Sequence, residues 1–397
     1  MYKKGFIAFP LLGLASIINV SAATLYEDPS THQVFTQDAP GRVELKDKDT
    51  PVKSKAFSLK FSGTHYFGFV SSKADGEERE NRFETRRNYF QVKAYFNKKD
   101  FLRLTLDSFQ ETKGQYLSEV DLETGDVSYS SEKEKGSWLT RVKYAYLYLD
   151  NILPHTGVEF GQVHRPWIDY EEHHGWWYRS VSKVYMEDGT AAHLMNSADL
   201  GFNLKTKLPY FSSEIGLFNG EGYHDIENGE GLSTEARFTF HALSTGTKKV
   251  KRKEDYFDIS YYGVKSFDDN KRGNNDFTMH GIHAVYNKPA FLIAAQYLKA
   301  DNGDYQKYDG DGYSLNFEIR PMKKLWFIGR YDVWDQNNAR SNHGGDRMQY
   351  LLGAVYNYNK NVKFIANVKT VDFDEEDILN SGEKDAIDLM FTAEVKW

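Results

Sequence analysis

The sequence predicts an all-β fold, a transmembrane antiparallel β-barrel, from three observations. Segments of roughly ten residues alternate polar and apolar side chains, the period-2 signature of a strand with one wet face. Tight turns and long polar loops alternate between these segments, as barrels require. Beyond the first 23 residues, no segment approaches the 18 apolar residues of a membrane helix; the longest apolar stretch lies near Ala290–Leu298. In lipid every backbone N–H and C=O must be paired within the protein, so only a helix or a closed barrel can cross.

Residues 1–23 read as a signal peptide: Lys3 and Lys4, an apolar core over 5–18 interrupted by Pro10, then Val20-Ser21-Ala22-Ala23. Residues 24–55 are polar and contain Pro29, Pro40 and Pro51. They predict a periplasmic N-terminal segment with a short hairpin across Gln33–Leu45. Residues 56–397 form the barrel. Leu102, Leu104 and Leu106 alternate with Arg103, Thr105 and Asp107, and Tyr313, Leu315, Phe317 and Ile319 with Ser314, Asn316 and Glu318. At the chain end Ile387, Leu389, Phe391, Ala393, Val395 and Trp397 share one face.

Tight connections are expected at Asn97–Asp100, Leu208–Tyr210, Asn287–Pro289, Pro321–Lys324 and Tyr358–Asn361. Long ones fall near 71–84, 111–136, 168–196, 220–232, 267–275, 300–311, 335–346 and 372–384, with 151–157 and 243–255 longer than the alternation predicts. Counting strands between them gives about sixteen. They start near 57, 85, 101, 137, 158, 197, 211, 233, 256, 277, 291, 312, 325, 348, 362 and 385. An even count places both ends on the periplasmic side. A Lys or Arg facing the bilayer midplane would cost about 2–4 kcal/mol, and strand Lys and Arg fall mostly on the polar parity.

Aromatic residues reach 15%, with 27 Tyr and 27 Phe, enough for girdles at both membrane interfaces. There is no Cys, hence no disulfide framework or thiolate metal site. Without Lys3 and Lys4, 48 basic residues face 57 acidic ones, a charge of −9, which argues against a nucleic-acid partner. His173 and His174 beside Glu171 and Glu172 match no zinc spacing, and no Gly-x-Ser-x-Gly element or phosphate-binding glycine loop occurs. No metal, cofactor or catalytic residue is predicted.

The polar parity of the second, third and fourth strands carries Arg87, Arg103 and Arg141, with Lys93, Lys143 and Arg165 near them, and strand thirteen adds Arg330 and Asp332. These residues predict a basic wall on adjacent strands. Asp372, Asp374, Glu375, Glu376 and Asp377 read as a solvated outer loop.

The run Phe160-Gly161-Gln162-Val163-His164-Arg165-Pro166-Trp167, the long loop after the fifth strand and the terminal aromatic residue resemble the porin superfamily of Gram-negative outer membranes. Within it the general porins and the phosphate-selective porin O/P type are the most similar. Phe391 and Trp397 resemble the terminal signal read by the barrel-assembly machinery. The resemblance implies outer-membrane placement, contact with lipopolysaccharide and membrane lipid, a homotrimer, and passive passage of small hydrophilic solutes or ions. It also implies that the loop over 168–196 folds inward as a pore constriction. That loop is the most aromatic in the chain, which suits packing against an inner wall. Its charged residues, Asp169, Glu171, Glu172, Arg179 and Lys183, would face the basic wall and set a transverse field. A phosphate or anion channel, and a surface adhesin anchored by its barrel, stay open as alternatives.

Overall fold

The computed structural model describes residues 26–31, 34–35, 37, 39–44, 58–110, 117–120, 127–130, 138–220, 222–223, 231–267, 277–301, 309–336, 346–374 and 384–397. The expected signal peptide and Glu375, Glu376 and Asp377 lie outside these residues.

The chain divides into two units, Met1–Ala56 and Phe57–Trp397. In the first, β1 (Tyr26–Glu27), β2 (Val34–Phe35) and β3 (Val43–Glu44) form a small sheet. Its order is β2-β1-β3: among the described residues β2 and β3 each pair with β1 and not with each other, unlike the hairpin expected over Gln33–Leu45.

The second unit is a closed barrel of sixteen antiparallel strands. They are β4 (Ser58–Ala74), β5 (Glu80–Tyr95), β6 (Phe101–Gln110), β9 (Trp138–Leu153), β10 (Thr156–His164), β11 (Ala198–Lys207), β12 (Phe211–Phe218) and β13 (Leu232–His241). β14 (Tyr256–Phe267), β15 (Thr278–Lys288), β16 (Phe291–Asp301), β17 (Gly310–Ile319), β18 (Leu325–Asp335), β19 (Arg347–Asn357), β20 (Val362–Phe373) and β21 (Ala386–Lys396) complete it. A separate hairpin, β7 (Leu117–Val120) with β8 (Val127–Ser130), lies in the connection between β6 and β9. β21 pairs with β4, and Trp397 exchanges backbone hydrogen bonds with Gly63 at 3.0 and 3.1 Å, so the chain end closes the cylinder.

Two expected connections are shorter than the sequence suggested. β4 and β5 run long, reducing 71–84 to the turn over 75–79, because the charged alternation there continues as strand. β9 and β10 meet across Pro154 and His155, so 151–157 is also a tight turn.

The outward face is apolar: Ile282, Ile293, Leu315, Leu352 and Leu389 are all exposed, a surface that suits lipid. β16 is also apolar inward at Leu292, Ala294 and Leu298, all buried. This explains the long apolar run, because the inner face of β16 meets protein instead of water.

Candidate functional site

What covers that inner face is the connection from Arg165 to Ser197, the loop after the fifth barrel strand. Pro166 starts α1 (Pro166–His174), where its missing N–H costs nothing, and Gly175 ends it. A side chain at 175 would crowd the His283 imidazole at 2.7 Å. The loop folds inside the barrel and buries Trp167, Ile168, Trp176, Tyr178, Val184, Tyr185 and Met186. They pack against Tyr262, Met279, Leu298, Ile328, Leu351 and Ile365 of the barrel wall.

Polar contacts fix the loop to many strands. Tyr170 Oη donates to Asp258 at 3.0 Å, Gln296 Nε2 to Glu171 at 2.6 Å, and Tyr185 Oη to the Val333 carbonyl at 2.5 Å. Ser180 donates to Glu394 at 2.7 Å, Arg86 to the Ser180 carbonyl at 3.1 Å, and Arg347 to the Ala191 carbonyl at 2.5 Å. With so many partners the loop is a fixed partition across the lumen.

Cavities remain beside it. One, of about 800 Å³, lies mainly along β4–β6 and β9–β13. Another, of about 330 Å³, is lined by Arg82, Glu84, Arg86, Arg87, Lys183, Asp188 and Lys369 among others. Tyr66 and Arg179 line both, so they mark the narrowing between them.

Two β-bulges shape this narrowing. Tyr66 pairs with Arg87 but Phe67 with Thr85, leaving Arg86 extra. Thr105 pairs with Tyr144 but Leu106 with Val142, leaving Lys143 extra. Each bulge turns two consecutive side chains, Arg86 with Arg87 and Lys143 with Tyr144, to the inside, which strict alternation forbids.

The expected residues separate into groups. Lys93, Arg103 and Lys143 line the larger cavity, and Arg87 the smaller. Arg103 contacts His164 Nε2 at 2.8 Å and donates to Tyr146 Oη at 3.2 Å; Lys143 Nζ donates to Tyr89 Oη at 2.9 Å. Arg141 donates to the buried Asp107 at 3.1 Å, with Arg87 3.9 Å from the same carboxylate.

Arg141, Arg165 and Arg330 do not line these cavities. Arg165, 1% exposed, bonds the Asp199 carboxylate, sits 2.9 Å from Glu235 and donates to the Gly220 carbonyl at 3.0 Å. Arg330 pairs with Asp332 at 2.7 Å and donates to Ser182 Oγ at 3.3 Å beneath the loop. Both hold the loop in place.

Among the loop acids, Asp169 and Glu172 line the larger cavity. Burial acts to raise the Asp169 carboxyl, but His164, His173 and Lys205 outweigh it and hold it well below the ordinary range. Glu172 pairs with Arg179, which also bonds Glu187 at 2.5 and 2.8 Å. Lys183 stands 3.3 Å from Glu187. Glu171 is fully buried, accepts from Trp167 Nε1 at 3.0 Å, and burial pushes its carboxyl up to about 7. Phe391 and Trp397 are exposed on β21 and at the chain end.

Sequence reasoning did not single out Glu159, Lys205, Glu214 and Arg237, which form a lumenal network: Lys205 is 3.3 Å from Glu159 and 3.4 Å from Glu214, and Arg237 is 3.1 Å from Glu214. Their polar parity was a readable signal. Among the described residues, the larger cavity is lined by Lys93, Arg103, Lys143, Arg179, Lys205, Lys207, Arg237, Lys248, Lys249 and Lys396 against Glu159, Asp169, Glu172 and Glu214. Its charge is therefore positive, although the whole chain is at −7.

The chain matches no family profile and no curated protein sequence. It is similar in fold to solved outer-membrane structures. OprB of Pseudomonas putida is 9% identical with a TM-score of 0.58, covering 85% of this chain and 94% of its own. A loop-deletion mutant of OmpT, an outer membrane protein of Vibrio cholerae, is 13% identical with a TM-score of 0.55 and coverage of 86% and 100%. OmpT in its trimer form matches at a TM-score of 0.51. A mutant of the Rh. blastica porin is 12% identical with a TM-score of 0.50 and coverage of 86% and 100%.

Proposed function

We propose that the protein is an outer-membrane porin of a Gram-negative bacterium, a water-filled channel for passive diffusion of small hydrophilic solutes and ions. One observation carries this reading: the loop after the fifth barrel strand is fixed inside a closed barrel, yet leaves cavities on both sides of Tyr66 and Arg179. A barrel serving only as an anchor has no use for a fixed internal partition flanked by polar cavities. Transport needs no covalent step; the lining acts through size and field.

The field favours small anions. Lys93, Arg103 and Lys143 face the larger cavity with no carboxylate within 4 Å among the described residues. Low-dielectric walls strengthen their effect on a passing ion. The trimer form of the Vibrio cholerae protein supports a homotrimer here. The outward aromatic face of β21 suits lipid contact and the assembly role expected of Phe391 and Trp397, and the long loops suit contact with lipopolysaccharide.

Planar-bilayer recording tests the reading. Stable open conductance with a reversal potential of anion-selective sign is expected. Replacing Arg87, Arg103 and Arg141 together by Gln should move that potential toward cation selectivity while the channel still conducts. Absence of conductance in correctly folded protein refutes the channel; an unmoved reversal potential refutes the basic wall.

A further inference from the structure

Gln162 departs from the apolar character of the outward face. On β10 Glu159 and Val163 are buried on the inside, so Phe160 and Gln162 point outward, and Phe160 is exposed. The cross-strand neighbours of Gln162 are Ala145 on β9 and Leu200 on β11, both exposed. On a lipid-facing surface a carboxamide has no water to bind, so its partners must come from the protein.

The neighbouring backbone supplies them. Gln162 Nε2 donates to the Val142 carbonyl at 2.8 Å and to the Lys143 carbonyl at 2.9 Å. In a regular strand successive carbonyls point to opposite neighbours. The bulge at Lys143 turns these two to the same side, and the two N–H groups of one carboxamide match them. No ladder bond replaces this contact. Gln162 is the last residue of β10 that pairs with β9, the chain turns inward at Arg165, and among the described residues Trp138–Tyr144 pairs with β6 alone.

The bulge decides where Lys143 lies. Its ammonium lines the larger cavity, donates to Tyr89 Oη at 2.9 Å and stands 5.6 Å from the centre of the Tyr223 ring. Tyr144 also faces the cavity, whereas Val142 and Ala145 are exposed on the outside. Without the bulge, strict alternation from Tyr144 places position 143 outward and position 142 inward. From Ala145 onward β9 is held by strands on both sides, so the segment before it is the one free to turn over.

We propose that Gln162 is a positioning residue for the pore: its outward amide holds the β9 bulge, and the bulge turns Lys143 into the lumen. A side chain on the lipid side of the wall thereby sets a charge on the water side. The effect on ion selectivity rests on the channel reading; the placement of Lys143 does not.

The chain has no Cys, so a single introduced thiol reports alone. K143C and V142C, each with and without Q162M, are reconstituted in lipid vesicles and treated with a charged methanethiosulfonate, and labelling is followed by mass spectrometry. With Gln162 present K143C should label about tenfold or more faster than V142C, because parity puts one thiol in water and the other in lipid. Met keeps the length of Gln without its donors, so Q162M should reverse the order. An unchanged order, or equal labelling of both thiols in a loosened wall, overturns the positioning role. Deleting Lys143 makes the strand regular and leaves Val142 and Tyr144 on their present faces. Q162M should therefore lower the urea midpoint of the full chain but have little effect in the deletion background; equal losses in both overturn the proposal. If Q162M alone fails to fold, deletion of Lys143 should restore folding, and failure to restore it overturns the proposal as well. In bilayers K143Q and Q162M should move the reversal potential in the same, cation-favouring direction. Reversed labelling with no ion current in any folded variant refutes the channel reading and leaves the positioning role standing.

Discussion

Arg165 is the point where the inward loop leaves β10, and its guanidinium joins three wall elements. It bonds Asp199 of β11, Glu235 of β13 and the Gly220 carbonyl. Both carboxylates are fully buried; Asp199 also accepts from Gly220 N at 2.9 Å, and Tyr262 Oη donates to Glu235 at 2.6 Å. Replacing Arg165 with Met keeps much of the volume but leaves two buried carboxylates without a counter-charge. Removing one partner from a buried pair costs about 3–5 kcal/mol, and two orphaned acids put Arg165→Met at the upper end of that range. Adding D199N and E235Q removes the orphaned charges, so the triple variant should recover most of the loss. Urea unfolding of the detergent-folded barrel, followed by circular dichroism, gives the stabilities, and bilayer conductance reports on the loop. Arg165→Met should unfold at lower urea and conduct with more noise as the loop base loosens. An unchanged midpoint with unchanged conductance would refute the latch; a triple variant no better than Arg165→Met would refute its electrostatic origin.

Glu171 predicts a pH dependence. Burial raises its carboxyl from 4.5 to about 7, so its contribution to stability is full below pH 4.5 and declines as pH rises to about 7, by about 3 kcal/mol at most. His174, which burial lowers from 6.5 to about 4, acts in the opposite sense: its contribution is full above pH 6.5 and falls as pH drops toward 4. Urea midpoints of wild type and E171Q across this range should therefore differ in slope, with E171Q lacking the decline; parallel curves would sink the assignment. Trp176 is 2% exposed under the loop, so Trp176→Ala should cost about 3–5 kcal/mol and raise single-channel conductance, and neither effect is expected if the ring lies outside the loop core.

Alternation of side chains, set by the pleat of each strand, is a local property, so it was legible residue by residue. The expected starts at 101, 211, 256, 291, 325 and 362 coincide with observed ones, and turn residues such as Asn359 cap their own connections through side-chain bonds to Asn361 and Val362. Inward placement of Arg103 and Lys93 followed from the same period. What parity cannot say is what lies against an inward face. Arg330 and Arg103 share one parity, yet the loop covers Arg330 and leaves Arg103 on a cavity. Glu171 and Glu172 are neighbours in sequence, but a helix turns successive side chains about 100° apart, burying one and leaving the other beside Arg179. The bulges at Arg86 and Lys143 and the inward path of 242–255 depend on contacts with strands and loops far away in the chain. Local geometry determined the barrel, whereas long-range packing inside it decided which charges meet water and which become fastenings.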